Sequence, residues 1–173
     1  QEEEAQRYAI AFLKKVMRLK GVAIERDHFL RSEFRKRGVA DERVELAIST
    51  SPAAAGMDSD LVDSIARDVI DFETKKSTVL SFSAGLPGGL AMLGTIPADV
   101  TQCYVHAFRI MQKLAYLYGW QSFIDDCDEM DDETLAAFAL LLAVMAGVSG
   151  ANSALTAFSK TVQANVAKKV ANK

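Results

Sequence analysis

Hydrophobic and polar residues along this chain recur at helical spacing almost throughout. Over residues 3–19, Ala5, Tyr8, Ala9, Phe12, Leu13, Val16 and Met17 share one face, with Arg7, Lys14, Lys15 and Arg18 opposite. Gly21 ends that helix. A short helix from about Asp27 to Lys36 directs Phe29, Leu30 and Phe34 inward and stops at Gly38. Asp41 is expected to cap a third helix that runs through Ala47. Ser51-Pro52 and Gly56 mark a turn region, in which Pro52 suits the first position of a helical turn.

The fourth helix starts near Ser59. Leu61, Val62, Ile65, Ala66, Val69, Ile70, Val79 and Leu80 form its apolar side, and Arg67, Asp68, Asp71 and Lys75 face away. It is expected to break at Gly85-Leu86-Pro87-Gly88-Gly89. Pro97 suits the first turn of the next helix. There Val100, Tyr104, Ala107, Met111, Leu114 and Leu117 make the apolar stripe, and Asp99, Gln102, His106, Arg109 and Lys113 the polar one. Gly119 ends it, and Trp120 to Met130 is a connecting segment. Leu135 to Val148 is apolar on all sides. A last helix turns Leu155, Phe158, Val162, Val166 and Val170 inward, with Lys160, Lys168 and Lys169 outward. No stretch alternates as a strand does. The predicted fold is all-α: a compact multi-helix bundle around the apolar Leu135–Val148 helix, with a helical hairpin hinged at Gly85, Pro87, Gly88, Gly89 and Pro97.

Charge divides the chain unevenly. Residues 1–76 carry 14 of the 20 Lys and Arg and 15 of the 23 Asp and Glu, which makes this part well solvated. Ser77 to Ala98 and Thr134 to Ser159 carry none. Seven of the eight later acids crowd into Asp125 to Glu133. The expected domain is a single unit of 173 residues, with amphipathic helices over 1–50 and an apolar core over 51–173. The charge-free stretches are short for crossing a bilayer. A span needs about 20 apolar residues. Leu135 to Val148 has 14, and the glycine break leaves two arms of roughly 15 Å each. A net charge of −3 gives no ground for nucleic-acid binding. Cys103 and Cys127 make no disulfide framework and fit a reducing compartment.

Candidate chemistry is sparse. The glycine-rich stretch lacks the Lys-Ser/Thr that a phosphate loop requires, and a helix precedes it where a dinucleotide site needs a strand. Asp99, Cys103 and His106 lie at i, i+4 and i+7, but three groups without a fourth ligand do not make a metal site. The Cys103–His106 spacing identifies no oxyanion site beside it. Asp126 and Asp128 alternate as in a calcium loop, yet Met130 takes the next slot and no Gly follows. Arg35-Lys36-Arg37 reads as a solvated helix face, and His28 beside Phe29 as structural. No catalytic residue, cofactor or metal is expected. Asp99, Gln102, His106 and Arg109 stand as the candidate polar stripe.

Phe72-Glu73-Thr74-Lys75, Ser81 to Gly89, Gly94-Thr95-Ile96-Pro97-Ala98-Asp99 and Gln112 to Trp120, in this order, resemble the bacterial EcsC family, closest to its stand-alone members. The segment Val22 to Arg31 is similar to the same group. The resemblance implies a helical bacterial protein without agreed catalytic residues, often associated with membranes. Members continue into a second Pro/Gly-rich apolar stretch, so this chain is expected to be a fragment of a longer protein. Together these readings predict a non-enzymatic, cytoplasmic module at the inner face of the cell membrane, with a membrane lipid or membrane-protein partner. The alternative is a soluble module that holds a lipid-like or other hydrophobic ligand in an apolar cavity, formed where small residues at 83–98 meet bulky ones. Self-association through exposed apolar surface is a further expectation.

Overall fold

Helix boundaries follow local chemistry more closely than composition. The computed structural model describes residues 11, 13–84, 98–123, 138–141, 144, 150, 153, 156–157 and 160, the backbone alone at 77–84 and 98–100. The chain divides into two compact units, residues 1–127 and 128–173. In the first unit the described part of α1 covers residues 13–17, followed by α2 (Arg26–Arg35), α3 (Asp41–Ser49), α4 (Ser59–Ala84) and α5 (Ala98–Leu117). This unit is an all-α helix bundle, and no strand occurs among the described residues.

Glu25 caps α2. Its backbone is extended, and its carboxylate accepts the His28 amide at 2.8 Å. The helix therefore begins at Arg26, one residue before the expected start. At its other end Gly38 takes φ 73°, the Gly38 amide bonds to Arg35 O and the Val39 amide to Phe34 O. This paired closure satisfies carbonyls that the last turn would leave open. Gly119, with φ 101°, ends α5 in the same way, through Gly119 N to Tyr116 O and Trp120 N to Ala115 O. The start of α3 departs from expectation. Ala40 is the cap and makes no side-chain bond, while Asp41 and Glu42 sit in the first turn. There they act on the helix dipole rather than on a free amide.

The main core gathers Phe29, Leu30 and Phe34 from α2, Val44 and Ala47 from α3, Ala55 and Met57 from the turn, Val62, Ile65, Ala66 and Val69 from α4, and Tyr116 and Leu117 from α5. Phe34, Leu30, Val44, Ala47 and Ile65 are fully buried. Residues from both sides of position 50 thus share one core. Ile70, expected on the apolar side of α4, is exposed, because the buried stripe runs through Val62, Ile65, Ala66 and Val69.

Two expected features fall largely or wholly outside the described residues. The hinge at Gly85, Pro87, Gly88, Gly89 and Pro97 lies there entirely. Of the apolar Leu135–Val148 helix, residues 138–141 and 144 are helical, with Phe138 buried. Nearly all of the small-residue stretch at 83–98 also lies outside them, and its side chains lie outside them throughout.

A buried charge cluster and the candidate ligand cleft

The stripe of α4 that buries Val69 places Glu73 one turn further on, and Glu73 is completely inaccessible to solvent. A carboxylate there requires partners. Helix α5 supplies three from one face, at i, i+3 and i+7. His106 Nδ1 lies 2.6 Å from Glu73 Oε2, Arg109 Nε 3.0 Å from Oε1, and Lys113 Nζ 2.6 Å from Oε1. Burial alone would push the Glu73 carboxyl upward. Hydrogen bonds from Lys113 and His106, with the charges of Lys113 and Arg109, outweigh it and hold the group below the usual carboxylate range. An ionised carboxylate only accepts, so the His106 Nδ1–H donates to it.

The cluster extends outward on both sides. Arg109 Nη1 also donates to Gly21 O. One turn on, Gln112 receives the Ile24 amide at 2.9 Å and donates to Val22 O at 2.8 Å and Phe108 O at 3.2 Å. Helix α5 thus grips the loop after α1 with two side chains. Lys113 lies 5.8 Å from the centre of the Phe29 ring and 5.6 Å from that of Phe72. Its ammonium is held between two aromatic faces beside Glu73.

Above this cluster a cleft of about 430 Å³ opens where α2, α4 and α5 approach one another. Val69 and Phe72 give it apolar surface, and Glu33, Lys36, Arg37, Asp68 and Lys113 its polar lining. Arg37 spans one side, pairing with Glu33 on its own helix at 2.9 Å and with Asp68 of α4 at 2.5 Å. Lys36 shares Glu33 at 2.8 Å. Phe72 stands 57 % exposed, although it is a large apolar side chain, and Lys76 lies 5.8 Å from its ring centre. Another depression has its described lining, Ala11, Lys14, Lys15, Arg18 and Leu19, on one segment only, so among the described residues no groups from different elements converge in it.

The candidate polar stripe separates on inspection. His106 and Arg109 meet Glu73, with His106 buried where the polar face was expected to be solvated. Gln102 is exposed, and the Asp99 side chain lies outside the described residues. Cys103 is exposed and His28 is exposed. No group of three or more His, Cys, Asp or Glu able to hold a metal ion occurs among the described residues. Arg35-Lys36-Arg37, expected as a solvated face, pairs with Asp41, Glu33 and Asp68, and two of its members line the cleft. Glu73, Lys113 and Phe72 were not among the candidate site residues read from the sequence. The available signal was a lone acid on the buried stripe of α4 facing a helix with three basic residues on one side.

Comparison with known proteins corrects two expectations. No family model matches the chain, no curated protein matches it, and no solved structure matches it. Assignment to the EcsC family is therefore not sustained. Membrane association is likewise unsupported, and no helix of the described residues is long and apolar enough to cross a membrane.

Proposed function

We propose that this chain is a non-enzymatic binding module whose site is the cleft between α2, α4 and α5. The observation that carries the reading is the convergence of three helices on about 430 Å³ of space with Phe72 exposed at its edge. That volume falls within the roughly 300–1,000 Å³ of small-molecule sites. An exposed phenylalanine beside Val69 offers apolar contact, and the surrounding ions fix orientation. The ligand class that suits such a surface is an amphiphile: an apolar body with one polar end. The apolar cavity expected at 83–98 lies outside the described residues, whereas this cleft has a mixed lining. Its base is stiff, because Glu73, His106, Arg109 and Lys113 lock α4 to α5 from beneath.

The test is amide chemical-shift mapping on the ¹⁵N-labelled chain during titration with twelve-carbon, single-chain amphiphiles of different head groups. Saturable shifts concentrated at Glu33, Lys36, Asp68, Val69, Phe72 and Lys113 are expected. If no head group produces them, the reading fails.

A further inference from the structure

The ion pairs around the cleft do not balance. Arg109 and Lys113 both contact Glu73, so two basic side chains share one carboxylate. His106 also donates to that carboxylate and takes part of its accepting capacity. At the lining above, Lys36 and Arg37 share Glu33, with Asp68 as the second acid. Lys76 adds a further cation beside Phe72. The described lining itself carries three cations, Lys36, Arg37 and Lys113, and two acids, Glu33 and Asp68. The deepest of these three cations is Lys113, whose side chain is 11 % exposed. An ammonium has three donors, and Lys113 directs one to Glu73. A partly desolvated cation with remaining donors attracts an anion far more strongly than a solvated one does.

We propose that the ligand of this cleft is a single-chain amphiphile with a compact monoanionic head, a carboxylate, seated at Lys113. This inference rests on the cleft reading above and specifies its head group. The excess at the Glu73 cluster is one positive charge, which one negative head neutralises. The apolar chain then lies along Val69 and Phe72, the two apolar side chains of the lining. Arg37, already shared between Glu33 and Asp68, forms the far wall rather than a second anion contact.

Isothermal titration of the full chain with dodecanoate, dodecanol and dodecyltrimethylammonium, each below its micelle concentration, tests the assignment. Dodecanoate is expected to bind at least about tenfold more tightly than dodecanol, and the cationic amphiphile more weakly than either. Lys113→Met is expected to reduce the dodecanoate-to-dodecanol ratio to about one. Phe72→Ala, at an exposed position, is expected to weaken both probes alike and leave the ratio unchanged. Equal binding of dodecanoate and dodecanol by the unmodified chain overturns the head-group assignment while the cleft reading stands. Binding of the cationic probe alone overturns the head-group assignment, and binding of none of the three overturns both readings. Should Lys113→Met not fold, the unmodified chain decides: dodecanoate, and not dodecanol, must shift the Lys113 amide resonance.

Discussion

Glu73 and His106 meet at 2.6 Å, Oε2 to Nδ1, across the α4–α5 interface and almost wholly out of solvent. Glu73 is held below the usual carboxylate range in the fold, so its ionised form binds fewer protons there than in the unfolded chain. The stabilisation it gives is complete above about pH 4.3, the ordinary value for glutamate. It is lost as pH falls through the lower value of the folded chain. Glu73→Gln is expected to cost about 3–5 kcal/mol at pH 7, because the half-buried Lys113 and Arg109 lose the buried carboxylate that pairs with them. The gap between variant and parent should narrow below the ordinary carboxylate range. Urea unfolding from pH 7 to pH 3 measures it, and a gap independent of pH would contradict the account.

Arg26 reaches three main-chain carbonyls with one guanidinium. Nε donates to Trp120 O at 3.0 Å, Nη1 to Ile48 O at 2.7 Å and Nη2 to Ala47 O at 3.4 Å. The last two belong to the final turn of α3, where a cation also suits the helix dipole. Arg26→Met is expected to destabilise the unit by about 3 kcal/mol. Arg26→Lys should restore only part of that, since a point charge does not reproduce the planar fork. Thermal unfolding of the two variants decides whether fork or charge dominates.

Gln112 bonds the Val22–Ile24 backbone as a neighbouring strand would, accepting from one amide and donating to one carbonyl. Gln112→Leu keeps the bulk and removes both bonds. A loss of about 2–3 kcal/mol is expected, with faster amide hydrogen exchange at Ile24. Unchanged exchange there would show that the loop is held by packing alone.

The two glycine-ended helices separate backbone cost from crowding. At Gly38, φ is 73° and a Cβ would meet nothing within 4 Å. At Gly119, φ is 101° and a Cβ would sit 3.3 Å from the Cβ of Ser51. Gly38→Ala is expected to cost about 1–2 kcal/mol from the left-handed backbone alone. Gly119→Ala should cost more, because Ser51 must also shift. Chemical denaturation of the pair checks the order, and equal losses would remove the steric contribution.

Much of the helical framework was legible in the chain. Phe29, Leu30 and Phe34 recur at steps that can only face one way, and Gly38 and Gly119 sit where the apolar stripes stop. The site was less legible, for a physical reason. Periodicity assigns charged residues to solvent, so His106, Arg109 and Lys113 were read as a wet face. Their burial depends on a single acid on another helix, Glu73, and pairing over 33 to 40 positions leaves no local trace. Phe72 shows the reverse error that periodicity permits. It lies just off the buried stripe of α4, so its exposure follows from its angular position, while its role at the cleft depends on α5. The Gly85–Gly89 break and Pro97 fall outside the described residues, so the expected hinge neither gains nor loses from the fold.

The bond from Arg26 to Trp120 joins positions 94 residues apart. As the chain leaves the ribosome, α2 and α3 emerge early with a guanidinium that already has the α3 carbonyls but lacks its remaining acceptor. Loop α1–α2 likewise waits for Gln112. Helices α2 and α3 are therefore clamped only once α5 and the residues just after it have arrived, so nascent chains halted before residue 112 should be far more open to protease than those released after residue 120.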